Sequence, residues 1–466
     1  MGAMTVPPRL APYFAPGSTT QELAARFRDA GYRCYMVGGS VRDAFLDRPL
    51  TDVDITTKAR PDVIEAIVRP WADHVWLQGQ RFGTVGCSKN GEAFEITTFR
   101  ADVYRPESRK PEVEYADDIE TDLSRRDFTM NSMALALDEP ELVDPYGGLA
   151  DLGARRLRTP MAPEVSFEDD PLRMLRAARF TATLGVEPAA EVVAAMVALR
   201  DRLEIVSAER IRDELSKLLL AEDPSRGLWL ISHTKLSDEF LPELNAMQLE
   251  QDPIHRHKDV LAHTIAVVAK TNPSLKLRLA ALLHDVGKPK TRGFGPQGVT
   301  FHHHEVVGAR MARERLVALR YPNDIVDDVT KLVELHLRFH TYRMGWTDSA
   351  VRRYVRDAGP LLDDLNELTR SDCTTRNAKK AAELARRMDE LQSRIAALAE
   401  QEELERIKPP LNGDQIMAFL GVPPGPVVGE ARNFLLELRL DEGPMSEEVA
   451  YERLAGWARS RGIDPG

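Results

Sequence analysis

Four apolar residues, Cys34 to Val37, end abruptly at Gly38-Gly39, and helical spacing resumes at Ser40. A short apolar run closed by glycine reads as a buried strand leading into a turn and a helix. Before it, residues 20–31 carry an amphipathic helical pattern with Ser18, Thr19 or Thr20 as cap. After it, Asp52-Val53-Asp54-Ile55 alternates polar and apolar, the period of a half-buried strand. Residues 61–70 read as a helix opened by Pro61. Gly83–Ser88 and Ala93–Phe99 read as two strands joined at Asn90-Gly91 in a hairpin. Residues 100–123 show no strong period and read as a loop holding Tyr104, Arg105, Arg109 and Lys110. Beyond about residue 160 the period is helical almost throughout. Ser207 opens a long amphipathic stretch, and Pro224, Pro242 and Pro253 mark breaks. Residues 376–408 predict one long helix ended by Pro409-Pro410, followed by helices to about 462. No internal repeat is visible.

Composition adds a few bounds. A chain of 466 residues predicts about three domains. No apolar run is long enough to span a bilayer, and no secretory leader precedes the first strand. Cys34, Cys87 and Cys373 are too scattered for a disulfide framework or a zinc cluster, which fits a reducing cytoplasm. A net charge of −11 argues against a general nucleic-acid coat protein. It leaves room for local basic patches, and Arg100 to Arg126 and Arg173 to Arg179 are the places to look.

Candidate chemistry gathers where the patterns change. Gly38 and Gly39 at a strand end allow backbone N–H groups to approach a ligand closely, and a helix start at Ser40 favours phosphate. On the next strand Asp52 and Asp54 share one face while Val53 and Ile55 point into a core. Two clustered carboxylates call for a cation, and Mg²⁺, an oxygen-seeking ion that keeps waters and phosphates, is the natural one. Glu95, in the strand Glu95-Ile-Thr-Thr-Phe-Arg100, is a candidate third acid.

These residues resemble the polymerase-beta nucleotidyltransferase superfamily. The wording Gly-Gly-Ser-Val-Arg-Asp with Thr-Asp-Val-Asp-Ile is similar to its tRNA nucleotidyltransferase and bacterial poly(A) polymerase branch, the class II enzymes. Asp122-Leu-Ser-Arg-Arg-Asp-Phe-Thr-Met-Asn131 resembles the family's Arg-Arg-Asp-Phe-Thr-x-Asn motif, and assigns Arg126 to the triphosphate with Gly38, Gly39 and Arg42. Asp169-Asp-Pro-Leu-Arg173 resembles the Glu-Asp-x-x-Arg motif, with Asp169 in place of the usual Glu. The resemblance makes Asp170 and Arg173 the readers of the incoming base and puts Arg176 and Arg179 near the nucleotide. Carboxylate and guanidinium together offer acceptors and donors to the Watson–Crick edges of C and A. The family needs a loop at the position of 100–123 to add the final A, so its presence argues against a CC-only enzyme.

A second constellation follows. Nine of the eleven histidines lie between His255 and His340. The order His263, His284-Asp285, His304, His336, Asp372 resembles the HD metal-dependent phosphohydrolases. There His263, His284, Asp285 and Asp372 would hold a divalent ion, with imidazole favouring Mn²⁺, Ni²⁺ or Co²⁺.

The resemblance implies an α+β chain: a polymerase-beta-like nucleotidyltransferase head at 20–160, a helical neck at 161–250, an HD-containing helical body at 251–375 and a helical tail at 376–466. It implies a cytoplasmic enzyme that adds CCA to tRNA 3′ ends without a template, from CTP and ATP, with Asp52, Asp54 and Glu95 as the catalytic acids. Poly(A) polymerases and A-only enzymes share the same motifs. A phosphohydrolase with an RNA-binding head is the alternative of another class. The sequence sets no oligomeric state.

Overall fold

In the computed structural model, the structure describes residues 6–50, 53–80, 83–101, 103–105, 108–112, 114–249, 259–295, 298–341, 346–374, 378–402 and 407–464. Asp52 lies outside the described residues. The chain divides into two compact units, Met1–Asn245 and Ala246–Gly466.

The first unit is built on a seven-stranded sheet. Its strands are β1 (Cys34–Val37), β2 (Val53–Thr57), β3 (His74–Trp76), β4 (Thr84–Lys89), β5 (Glu92–Thr98), and, after a separate hairpin of β6 (Val103–Arg105) and β7 (Ser108–Glu112), β8 (Ala134–Ala136) and β9 (Leu142–Val143). The order is β3-β4-β5-β2-β1-β8-β9. β2 and β5 are parallel, and every other neighbouring pair is antiparallel. The β4–β5 hairpin turns on Asn90 and Gly91, with φ of 53° and 81°. Two residues in the left-handed region match the twist of the flanking strands, as an Asn-Gly turn requires.

Helices cover the sheet for local reasons. Thr19–Asp29 starts at Ser18, whose hydroxyl accepts from the Gln21 N–H at 3.3 Å, and it buries Leu23, Ala24 and Phe27. Pro61–Val68 begins with proline at its first position. One sheet face buries Tyr35, Val37, Phe99, Leu123, Ala134 and Ala136 together. Each large apolar side chain so buried contributes about 1.5–3 kcal/mol. The loop expected at 100–123 contains the β6–β7 hairpin, paired Val103 with Glu112 and Arg105 with Ser108. The sequence there lacks the apolar alternation that marks a strand with one buried face, so its pattern gave no sign of the pairing.

Beyond the sheet the first unit carries a short parallel pair, Arg156–Leu157 with Glu187–Pro188, and the helices Pro163–Asp169, Leu172–Leu184, Ala190–Leu199, Ala208–Leu219 and Ser225–His233. Leu172–Leu184 ends at Gly185, φ 66°, a left-handed cap that suits glycine.

Among its described residues the second unit is helical apart from the hairpin Arg292–Gly295 with Gly298–Phe301. The helices Val260–Lys270, Leu275–Leu283, His304–Ala318, Asn323–Leu335 and Leu362–Asp372 carry the histidines and acids. The long helix begins at Ala378 and runs to Glu402. The helices Gly413–Leu420, Pro426–Glu442 and Glu447–Ser460 share a core of Leu411, Ile416, Leu420, Ala431, Leu435, Ala450, Leu454 and Ala458. Among the described residues no helix is long and apolar enough to cross a membrane.

Candidate active site and metal centre

The turn after β1 positions the first group. Gly38 has φ 71° and ψ −129°, which a side chain would strain. A Cβ there would also stand 2.8 Å from Nη1 of Arg126 and displace that guanidinium. Arg126 therefore lies directly over the Gly38 backbone. Its Nη2 donates to Asp122 at 3.1 Å, and its Nε is buried without an acceptor among the described residues. A half-buried guanidinium with a buried donor to spare, over a glycine turn, suits an anion.

β2 carries Asp54 exposed between buried Val53 and Ile55, as the alternation predicts. β5 places Glu95, also exposed, as the register partner of Asp54. Partners in adjacent parallel strands point to the same face, so two acids share one side of the sheet. The backbone N–H of Asp54 approaches the Ser40 hydroxyl at 3.5 Å, which ties the acid strand to the glycine turn. The donors here are carboxylate oxygens, which fits a hard cation such as Mg²⁺.

Arg42 points elsewhere in the same region. Nη1 donates to Asn131 Oδ1 at 2.6 Å, and Nε and Nη2 donate to Asp43 at 2.9 and 2.7 Å. Asn131 in turn donates to Asp127 at 2.9 Å, and Asp127 accepts from Nε and Nη2 of Arg176 at 2.8 and 2.5 Å. Burial would push the Asp127 carboxyl up, but Arg176 and Asn131 hold it well below the usual carboxylate range. Arg176 and Arg179 also face Glu214 of the Ala208–Leu219 helix, at 3.6 and 2.7 Å. The Phe180 ring lies beneath Arg42, Arg176 and Arg179, with guanidinium carbons 5.2, 5.5 and 4.1 Å from its centre. Burial and the neighbouring Arg176 and Arg42 lower the pKa of Arg179, so the cluster is charge-dense and ready for an anionic ligand.

The expected base readers are placed differently from one another. Asp170 precedes the Leu172–Leu184 helix; it accepts from Leu172 N–H at 3.2 Å and from Arg210 Nη2 at 3.0 Å. Arg173, 7% exposed, donates to Ser166 Oγ at 2.8 Å and to the Arg125 carbonyl at 2.5 Å. The expected stripe of Arg173, Arg176 and Arg179 is thus divided: Arg173 is seated against the 125–126 segment, while the other two face Glu214. Sequence reading did not single out Asp122, Asn131, Arg210 or Glu214. A charged residue on an amphipathic helix carries no mark that it will be buried, and Glu214 is 4% exposed.

The second unit gathers His263, His284, Asp285, His304, His336 and Asp372. His263 Nε2 lies 2.9 Å from Asp372 Oδ1, 3.6 Å from Asp285 Oδ2 and 3.3 Å from His284 Nε2. His284 Nε2 is 3.3 Å from Asp285 and 3.6 Å from Asp372. On the other oxygen of Asp285, His304 and His336 place Nε2 at 3.4 and 4.0 Å. Three of the rings share one device. Nδ1 of His284, His304 and His336 donates to the carbonyls of Ala281, Phe301 and Val333, at 2.8, 2.8 and 2.7 Å. A carbonyl only accepts, so Nδ1 carries a proton in each of these rings and Nε2 is the atom turned toward the acids. The Nε2 atoms of His304 and His336 are buried with no hydrogen-bond partner among the described residues. Without an ion, burial alone would make His284 neutral, but Asp285 and Asp372 push its pKa up to about 10. His336, buried beside that charge, is pushed down to about 3. A divalent cation fits this donor set, and Asp285 offers one oxygen to each half of it.

Comparison with known proteins decides the family. Residues 34–158 match the Poly A polymerase head domain, 185–248 the probable RNA and SrmB-binding site of polymerase A, and 260–419 the HD domain. The A-adding tRNA nucleotidyltransferase of Deinococcus radiodurans is 39% identical over 337 residues, covering 69% of this chain and 75% of the relative. The CCA-adding enzyme of Streptococcus pyogenes serotype M5 is 31% identical over 436 residues, 91% of this chain and 93% of the relative. The chain belongs to the tRNA nucleotidyltransferase family. The crystal structure of the Bacillus stearothermophilus CCA-adding enzyme in complex with CTP superposes with a TM-score of 0.71 at 25% identity, over 98% of this chain and 99% of that one. The α+β architecture, with a nucleotidyltransferase head and an HD domain, is that of CCA-adding enzymes. Members of this family use a divalent metal ion.

Proposed function

We propose that this protein adds CCA, one nucleotide at a time and without a template, to the 3′ end of tRNA in the cytoplasm, from CTP and ATP. The observation that carries the reading is the pairing of Asp54 with Glu95 on one sheet face beside a Gly38 turn roofed by Arg126. The 31% identity to a CCA-adding enzyme along nearly the whole chain supports it.

The reaction is an in-line displacement: the terminal ribose hydroxyl attacks the α-phosphate and pyrophosphate leaves. Gly38 and Gly39 offer open backbone, and Arg126 and Arg42 bind the triphosphate. Asp52 and Asp54, with Glu95 beside them, would hold Mg²⁺. That ion would balance the charge on the phosphates and ease loss of the hydroxyl proton. Asp170 accepts from the amino group that C and A both carry, and Arg173 donates to the adjacent ring nitrogen. U and G present the reverse pattern at those positions, so they leave buried polar groups unpaired. Arg176 and Arg179, neutralised in part by Glu214, line the nucleotide. The HD cluster of His263, His284, Asp285 and Asp372, extended by His304 and His336, would hold a softer divalent ion such as Mn²⁺, Ni²⁺ or Co²⁺, which would activate water for hydrolysis of phosphate esters. Working parts at 20–160, 161–250, 251–375 and 376–466 carry head, neck, body and tail.

The 39% identity to an A-adding enzyme favours one second reading, addition of the terminal A alone. The test is a set of tRNAs ending before CCA, at C, or at CC, each given CTP, ATP or both, with products sequenced. CCA addition predicts extension of all three to a complete CCA. Extension of the CC-ended tRNA alone, by one A, would establish the second reading.

A further inference from the structure

Asp122 is fully buried, and no step outlined above uses it. Its Oδ1 accepts from the Arg100 backbone N–H at 3.1 Å and from Nε and Nη2 of Arg125 at 3.1 and 2.9 Å. Its Oδ2 accepts from Nη2 of Arg126 at 3.1 Å. A lone buried carboxylate is costly, and a carboxylate between two guanidinium groups is not. Burial would raise its pKa, yet Arg126 and Arg125 keep it ionised below the usual carboxylate value.

The groups it holds lead in three directions. Arg126 reaches Gly38, where its Nη1 lies 2.8 Å from the position of a Cβ. Arg125 presents its backbone carbonyl to Nη2 of Arg173 at 2.5 Å. Arg100 stands at the root of the excursion containing β6 and β7, which closes through Ala101 N–H to Glu114 O at 2.8 Å and the Arg100–Tyr115 bridge. One carboxylate therefore fixes a donor over the glycine turn, the seat of a second arginine one helix away, and the base of the hairpin between them.

We infer that Asp122 is a positioning residue for the incoming nucleotide: through Arg126 it sets the triphosphate donor over Gly38, and through Arg125 it sets the carbonyl that seats Arg173. This rests on the nucleotidyl-transfer reading above. A plain structural staple would do less. It would raise the melting temperature and leave the affinity of the folded protein for polyphosphate unchanged.

Calorimetric binding of CTP, ATP and inorganic tripolyphosphate to the full chain separates the two. The variants are Asp122→Asn, Arg126→Ala and the double variant, each with a thermal melt. Asp122→Asn should weaken all three ligands about tenfold, because the unheld Arg126 loses its preorganised position. The double variant should bind no more than about threefold more weakly than Arg126→Ala alone, since the two residues act as one unit. Asp122→Glu, which keeps the charge but shifts it by one methylene, should fall between the unmutated protein and Asp122→Asn, and it carries the test if the Asn variant does not fold. Unchanged tripolyphosphate binding in folded Asp122→Asn or Asp122→Glu overturns the inference, and so do additive losses in the double variant. An unmutated protein that shows this dependence but transfers no nucleotide to RNA sinks the transferase reading and leaves Asp122 in place. A protein that transfers nucleotides while its Asp122 variants bind normally does the reverse.

Discussion

Asp127 shows how a single residue holds the arginine cluster in register. It is 8% exposed and bonded to Arg176 and Asn131, and Asn131 in turn orients Arg42. Removing a carboxylate from such a buried pair costs about 3 kcal/mol, because Arg176 is left uncompensated. The pH dependence has a definite sign. The folded pKa lies below the unfolded value of about 3.9, so the contribution is complete above that value and is lost as pH falls through the lowered pKa. Melting curves of the unmutated protein and Asp127→Asn should therefore differ by a constant amount above about pH 5 and converge in more acid solution. A gap that persists unchanged down to the acid-unfolded state would show that Asp127 contributes by shape and not by charge. The acid-bearing strand and the glycine turn were readable in the residues themselves, because a two-residue period and an abrupt Gly-Gly need no partner to be recognised. Asp122, Asn131 and Asp127 stood in a motif whose arginine drew the attention, and their contacts with Arg100, Arg42 and Arg176 arise only when the segments after β5 and β1 and the Leu172–Leu184 helix meet it.

At the scale of elements, the proposed base readers are set by three helices. Asp170 follows Pro163–Asp169, accepts from the first N–H of Leu172–Leu184 and pairs with Arg210 of Ala208–Leu219. Asp170 and Arg173 stand three residues apart in the sequence. The structure ends one helix before Asp170 and starts the next after it, because Asp170 is extended, φ −141° and ψ 97°, and Pro171 follows. Asp170 is thereby free of the helix backbone pattern, and Arg210 holds its carboxylate from a different element. Substituting Asp170 or Arg173 by Ala should raise incorporation of UTP and GTP relative to CTP and ATP by about tenfold or more, with smaller loss of rate for any one nucleotide. Competition assays with all four nucleotides read this directly. Uniform slowing with unchanged selectivity would remove the pair as readers. In the other unit, sequence order alone put the histidines and acids in one family pattern. What it could not give is the tautomer: the carbonyls of Ala281, Phe301 and Val333 that fix three rings are set by helix ends and a hairpin.

Across the whole molecule, the two units offer two kinds of donor set. The first offers carboxylate oxygens on an open sheet face, and the second offers imidazoles and two acids in a buried cluster. Hard Mg²⁺ suits the first, and Mn²⁺, Ni²⁺ or Co²⁺ the second. The units should therefore be separable by mutation. The most direct measurement takes tRNA ending before CCA, with CTP, ATP and Mg²⁺, and sequences the products of the unmutated protein, Asp54→Ala, and His284→Ala with Asp285→Ala, each confirmed folded by thermal melt. The account predicts complete CCA ends from the unmutated protein and from the histidine–aspartate double variant, and no extension from Asp54→Ala. Near-normal extension by Asp54→Ala, or loss of CCA addition by a well-folded double variant as complete as that of Asp54→Ala, would contradict it.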